Sequence, residues 1–225
     1  MGKQIELTAS DGHRLGGYRA EPTGAPKGAV VVIQEIFGVN SHIRSVCDRV
    51  AELGYVAVAP ALFDRHERDF QSGYSPDEIQ HARGFLGEVD WDAMLRDVEA
   101  AVDSVRSVGP VAVIGFCMGG SVAFLAAARL DGLAAAIGYY GGRIAKDADE
   151  KPRVPTQLHF GAEDQGIPLA DVDTVKAKRP ECEVHVYEGG GHGFHCDERG
   201  SYHPKAAAKA WQRSSDWLGR HLRAA

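Results

Sequence analysis

Residues 111–128 read VAVIGFCMGGSVAFLAAA, an apolar β-branched run that passes through Gly115-Phe116-Cys117-Met118-Gly119-Gly120 into a stretch of small and apolar residues. The first part has the composition of a strand buried on both faces, and the last that of a buried helix. A strand that turns directly into a helix, with glycine two residues before and two after a nucleophilic side chain, is the setting of a nucleophile elbow. Glycine is needed there because the backbone at those two positions passes too close to its surroundings for a side chain, while the nucleophile itself is strained. A helix that begins just after Cys117 points its positive end and free N–H groups at the sulfur. That favours thiolate and offers a donor to a developing oxyanion. Free cysteines in general are buried and inert, but this context makes Cys117 the candidate nucleophile.

Outward from the elbow, strands and helical patterns alternate. Upstream, QIELTAS and RLGGYRAE flank Asp11-Gly12, a hairpin-turn signal that predicts an antiparallel edge pair. AVVVIQEI reads as a central strand. Ile43, Val46, Cys47, Val50 and Ala51 recur at helical spacing and stop at Gly54, and YVAVAPAL reads as the next strand. Trp91, Met94, Leu95, Val98, Ala101, Val102 and Val105 form one helical stripe before the elbow strand. Downstream come a helix through SVAFLAAARL, strands LAAAIGYY, TQLHFGAED and CEVHVYEG, and a last helix through KAAAKAWQRSSDWLGRHL. Such alternation predicts one α/β domain over residues 1–225, a mostly parallel sheet with helices on both faces and an antiparallel N-terminal edge. The charged excursion from about Asp64 to Glu88, with Gly73, Pro76 and Gly87, is the least regular part. It reads either as a surface loop with a short helix or as a cover over a site.

In folds with such an elbow the chain order is nucleophile, acid, histidine, the acid following a late strand and the histidine lying beyond the last one. LHFGAEDQGIP supplies Glu163 and Asp164, and EGGGHGFH supplies His192 and His195. Asp164 is preferred over Glu163 on its turn position, and His192 over His195 because Gly189-Gly190-Gly191 before it implies unusual backbone angles and close approach. His192 then acts as base toward Cys117 while Asp164 fixes its tautomer. Glu35 ends an otherwise apolar strand, where a buried unpaired carboxylate is costly, so it is expected to be neutralised, paired or functional.

Together QEIFGVN, GFCMGG, IGYYGG, GAEDQGIP and GGHGF resemble the dienelactone hydrolase (carboxymethylenebutenolidase) family of the α/β-hydrolase superfamily, in order and over almost the whole chain. The resemblance implies an α/β-hydrolase fold and a Cys-His-Asp triad of Cys117, His192 and Asp164 that opens enol-lactones without a metal. By the same resemblance Glu35 contacts and helps activate the thiol, and the backbone N–H groups of Ile36 and Met118 form the oxyanion hole. Members bind the substrate carboxylate with arginines; Cys196 stands at one of those positions here, so Arg83 and Arg199 are the candidates for that role. Phe37 and Tyr139 are candidates for the pocket wall, with core packing expected for at least one of Tyr139 and Tyr140.

Chemistry narrows the substrates. A tetrahedral adduct on sulfur expels the better leaving group, so cysteine suits enol-lactones, aryl esters or thioesters and disfavours peptides. The 225 residues carry a formal charge of −6 without a basic block, which argues against nucleic acid and membrane surfaces as partners. The start, MGKQIELTAS, lacks the apolar core of a secretory signal. Cys47, Cys117, Cys182 and Cys196 show no CxxC spacing, so a cytoplasmic protein, monomeric or a small homo-oligomer, is expected. No cofactor is implied, and a zinc site from His192, His195, Cys196 and His203 fits no helix-borne or knuckle pattern of ligand spacing. The remaining alternatives are an acyltransferase using the same cysteine and a non-catalytic small-ligand module on the same scaffold.

Overall fold

Every strand pairs with at least one neighbour, and the result in the computed structural model, which describes residues 2–223, is an eight-stranded sheet. The strands are β1 (Lys3–Thr8), β2 (Arg14–Ala20), β3 (Ala29–Ile33), β4 (Val56–Pro60), β5 (Val111–Phe116), β6 (Leu133–Tyr139), β7 (Thr156–Gly161) and β8 (Glu183–Tyr187), in spatial order β1-β2-β4-β3-β5-β6-β7-β8. The hairpin β1–β2 and the β2–β4 pair are antiparallel, and every pair from β4 to β8 is parallel. This is the predicted α/β-hydrolase architecture with its antiparallel N-terminal edge.

Because side chains alternate across a strand, Val30 and Val32 face one layer and Val31 and Ile33 the other. The first layer receives α1 (Ser41–Glu52), α5 (Leu169–Lys178) and α6 (Pro204–His221); the second receives α2 (Pro76–Gly84), α3 (Trp91–Val105) and α4 (Met118–Arg129). Helix α5 was not legible in the sequence: only Val172 and Val175 are buried on it, too few to mark a stripe. The irregular excursion carries α2, whose Ser75 N-cap and Glu78 form a reciprocal capping box.

The elbow packs as tightly as its glycines imply. A Cβ on Gly115 would lie 1.9 Å from the Gly119 carbonyl oxygen, and one on Gly119 would lie 2.4 Å from the carbonyl oxygens of Ile33 and Gln34. All of these are backbone atoms that cannot step aside. Gly119→Ala is therefore expected to destabilise the fold by about 3 kcal/mol, seen as a lower urea midpoint with unchanged slope. A variant as stable as wild type would show that the elbow has slack.

Candidate active site

Strand β5 and helix α4 meet at Cys117, whose φ of 55° and ψ of −117° lie where a side chain is rarely tolerated. Such strain costs about 1–3 kcal/mol and survives because the flanking strand and helix are rigidly packed. The sulfur is thereby lifted out of the sheet and lies on the floor of a cavity of about 660 Å³. His192, in the loop after β8, places Nε2 3.1 Å from Cys117 Sγ, and its Nδ1 donates to Asp164 Oδ2 at 2.7 Å. Asp164 is buried, and its other oxygen accepts the Gly166 N–H at 2.8 Å, an Asx-turn that fixes the carboxylate. Glu163 instead lines the cavity, while His195 is buried beneath it and stacks on Phe116. Upstream of His192, Gly189 takes a φ of 72°, the unusual angle expected in that loop.

Burial alone would lower the pKa of His192, but the Cys117 sulfur and the Asp164 carboxylate outweigh it and hold the imidazole up at about 10. Opposite the sulfur, Ile36 and Met118 both line the cavity. Among the described residues neither backbone N–H has a protein acceptor; Met118 is the first residue of α4, where no intrahelical partner exists. Both donors are free for an incoming oxygen.

Glu35 is fully buried and paired, as its cost required. Its partners are Arg199, 3.1 Å from Oε1, and the Tyr74 hydroxyl, which donates to Oε2 at 3.2 Å. In this conformation the carboxylate is held by Arg199 and Tyr74 and makes no hydrogen bond to the thiol, which corrects the expected contact. Arg199 and Phe37 line the cavity, with the guanidinium 5.5 Å over the Phe37 ring. Arg83 reaches the same wall from α2, so the excursion does cover the site. Tyr139 does not: it is fully buried, 2.7 Å from Ser214 Oγ, because its strand position faces the α6 layer. Tyr140 is also buried, its ring 5.3 Å from that of His192.

Sequence reasoning missed the Tyr74 partner of Glu35, which lies in the irregular excursion, and the wall residues Trp91 and Arg143. Trp91, at the start of α3, packs against the core as its stripe predicts and also opens onto the cavity, where Arg143, bonded to Asp147, stacks on it at 4.6 Å. Only the aromatic character of Trp91 beside a helix start could have flagged them.

The sequence model of the dienelactone hydrolase family matches residues 15–222. The chain belongs to the dienelactone hydrolase family. Among other members, a provisionally named carboxymethylenebutenolidase of Synechocystis is 39% identical over 89% of each chain. The carboxymethylenebutenolidase of Pseudomonas putida is 34% identical over 95% of this chain and 94% of its own. A crystal structure of a provisionally named dienelactone hydrolase from Klebsiella pneumoniae superposes with a TM-score of 0.84 at 29% identity, covering 97% of this chain and 99% of that one. Like the rest of the family, this chain has an α/β-hydrolase fold, and no helix among its described residues is long and apolar enough to cross a membrane.

Proposed function

We propose that this chain is a single-domain hydrolase of small activated esters or lactones, dienelactones being the type substrate of its family, acting through Cys117, His192 and Asp164. The observation that carries the reading is the run of contacts Sγ to Nε2 at 3.1 Å and Nδ1 to Oδ2 at 2.7 Å, opening onto a cavity. In the proposed sequence the Cys117 thiol proton resides on His192 Nε2, Sγ bonds to the acyl carbon and the carbonyl π pair moves to oxygen, where the N–H groups of Ile36 and Met118 stabilise the charge. Each such donor contributes about 3 kcal/mol in related chemistry. The carbon–oxygen bond to the leaving group then breaks, His192 Nε2–H protonates the departing oxygen, and a thioester remains. Water, deprotonated by His192, attacks the thioester and returns the sulfur.

The cavity wall supports a substrate that is apolar with an anionic end. Ile36, Phe37, Ile79 and Trp91 provide apolar surface, and Arg199 and Arg83 provide charge. Glu35 can turn toward the thiol only by leaving Arg199, so a substrate carboxylate that takes its place on Arg199 releases it. Arg199→Met is accordingly expected to cut kcat/KM about 10- to 100-fold for an ester bearing a carboxylate, and much less for its neutral analogue. Equal losses on both would remove Arg199 from substrate recognition.

A proton on His192 is needed when the leaving group departs, and its folded-state pKa is about 10. Activity on an enol-lactone should therefore hold across neutral pH and fall as pH rises through about 10. An alkaline limb near the ordinary histidine value of 6.5 would contradict the charge arrangement. The direct test of the whole reading is intact-protein mass spectrometry after mixing with an activated ester. It should show an acyl adduct that maps to Cys117 and turns over, and a folded protein that forms no adduct and releases no product is a ligand-binding module instead.

A further inference from the structure

His42, the second residue of α1, is 1% exposed, and both of its ring nitrogens lack a hydrogen-bond partner among the described residues. Buried polar atoms in native folds are nearly always satisfied, so an imidazole orphaned on both sides asks for a ligand that the protein itself does not supply. Two further soft or anionic donors face the same spot. Glu35 and Cys196, both fully buried, each place one donor atom within 4.8 Å of the other and of a His42 nitrogen. These three residues come from the end of β3, the start of α1 and the loop beyond His192, so no sequence spacing joins them.

We infer that Glu35, His42 and Cys196 form a buried binding site for Zn²⁺ or a similar borderline divalent cation, and that its occupation inhibits the enzyme. The donor set of one thiolate, one imidazole and one carboxylate is that of a zinc centre, with a fourth position left to water. The cation is met by the Glu35 carboxylate and by Cys196 after its thiol has lost one proton to solvent, while Arg199, already paired with Glu35, leaves the occupied site one positive charge in excess. Asp197 Oδ1 lies 3.6 Å from His42 Nδ1, outside hydrogen-bond distance, and is the carboxylate placed to close on that nitrogen once the ring binds a metal. Arg199 holds Glu35 Oε1, and the cation replaces the Tyr74 hydroxyl on Oε2. The regulatory half of the inference rests on the proposed function, because a Glu35 bound to metal is withheld from Cys117.

The site is tested in the C117A protein, which removes the thiol that lies 3.1 Å from His192 Nε2. Zinc-loaded C117A should show, by X-ray absorption, one sulfur at about 2.3 Å and nitrogen or oxygen at about 2.0 Å. Co²⁺ at one equivalent should give a thiolate-to-cobalt absorption band that Zn²⁺ displaces. The band should vanish in C117A/C196S and weaken in C117A/H42Q, both replacements close to the original in size. Absence of sulfur around zinc, or a cobalt band that survives C196S, overturns the site. In protein with Cys117 intact, C196S should need at least tenfold more Zn²⁺ for half-inhibition of ester hydrolysis, and equal sensitivity overturns the regulatory role. The two readings fail separately: hydrolysis without metal binding rejects only the metal site, whereas the sulfur-ligated zinc signal in a protein that hydrolyses nothing supports the site and rejects only the hydrolase.

Discussion

Cys117→Ala should leave the protein folded and lower kcat/KM on an activated aryl ester by about 10⁴-fold or more, with no acyl adduct in the intact mass. The size follows from what remains. Without sulfur, the Ile36 and Met118 donors and the cavity still bind the substrate, but His192 has only water to activate and no covalent path exists. The fold should hold because the elbow is kept by Gly115 and Gly119 packing against backbone, not by the sulfur, and alanine occupies the same strained φ of 55° that cysteine does. Cys117→Ser sharpens the point. The hydroxyl keeps the shape, yet the high pKa of His192 depends in part on the Cys117 sulfur beside it. Serine gives that imidazole no comparable anion, so the proton arrangement is lost with the nucleophile, and the serine variant should stay at least about 10²-fold below wild type. Hydrolysis within a few fold of wild type in the alanine variant, measured at saturating and limiting ester, would mean that the chemistry lies elsewhere.

How much of this site could be read from the chain depends on whether a residue's role is set locally. Cys117, Asp164 and His192 were legible because each sits at a strand end whose neighbours advertise it: close-packing glycines around the cysteine, an Asx-turn after β7, a left-handed Gly189 before the histidine. The parallel core was legible for the same reason, since β3 and β5 are apolar throughout. Residues whose role is set by distant partners were not. Glu35 was recognised as needing a partner, but that partner, Arg199, is 164 positions away and Tyr74 is 39, and neither announces itself. Tyr139 was misplaced toward the cavity because a strand-end tyrosine reads alike on either face; only the α6 layer, with Ser214 at 2.7 Å, decides it. The approach of His42 and Cys196 to Glu35 is of the same long-range kind, as is the stacking of Arg143 on Trp91 at the cavity wall.

The second large effect is expected at a residue that never touches substrate. Asp164→Asn should lower kcat about 10³- to 10⁴-fold while leaving thermal unfolding close to wild type. The carboxylate accepts twice, from the Gly166 N–H at 2.8 Å and from His192 Nδ1 at 2.7 Å. An asparagine can keep only one of these. Because the Gly166 N–H is a fixed backbone donor, the amide oxygen goes there and preserves the turn, which turns the NH₂ toward His192. Nδ1 must then accept, which only the neutral ring with its single proton on Nε2 can do, so the doubly protonated imidazole that faces Cys117 Sγ at 3.1 Å is lost. The alkaline limb moves as well. Asp164 is one of the groups that hold the imidazole up at about 10 against burial, so in the asparagine variant the residual activity should decline at lower pH than in wild type. Rate and pH profile are thus tied to one hydrogen bond. A variant that kept its rate within tenfold would show that His192 finds its tautomer without Asp164, and one that lost rate with an unmoved limb would show that Asp164 orients the ring but does not charge it.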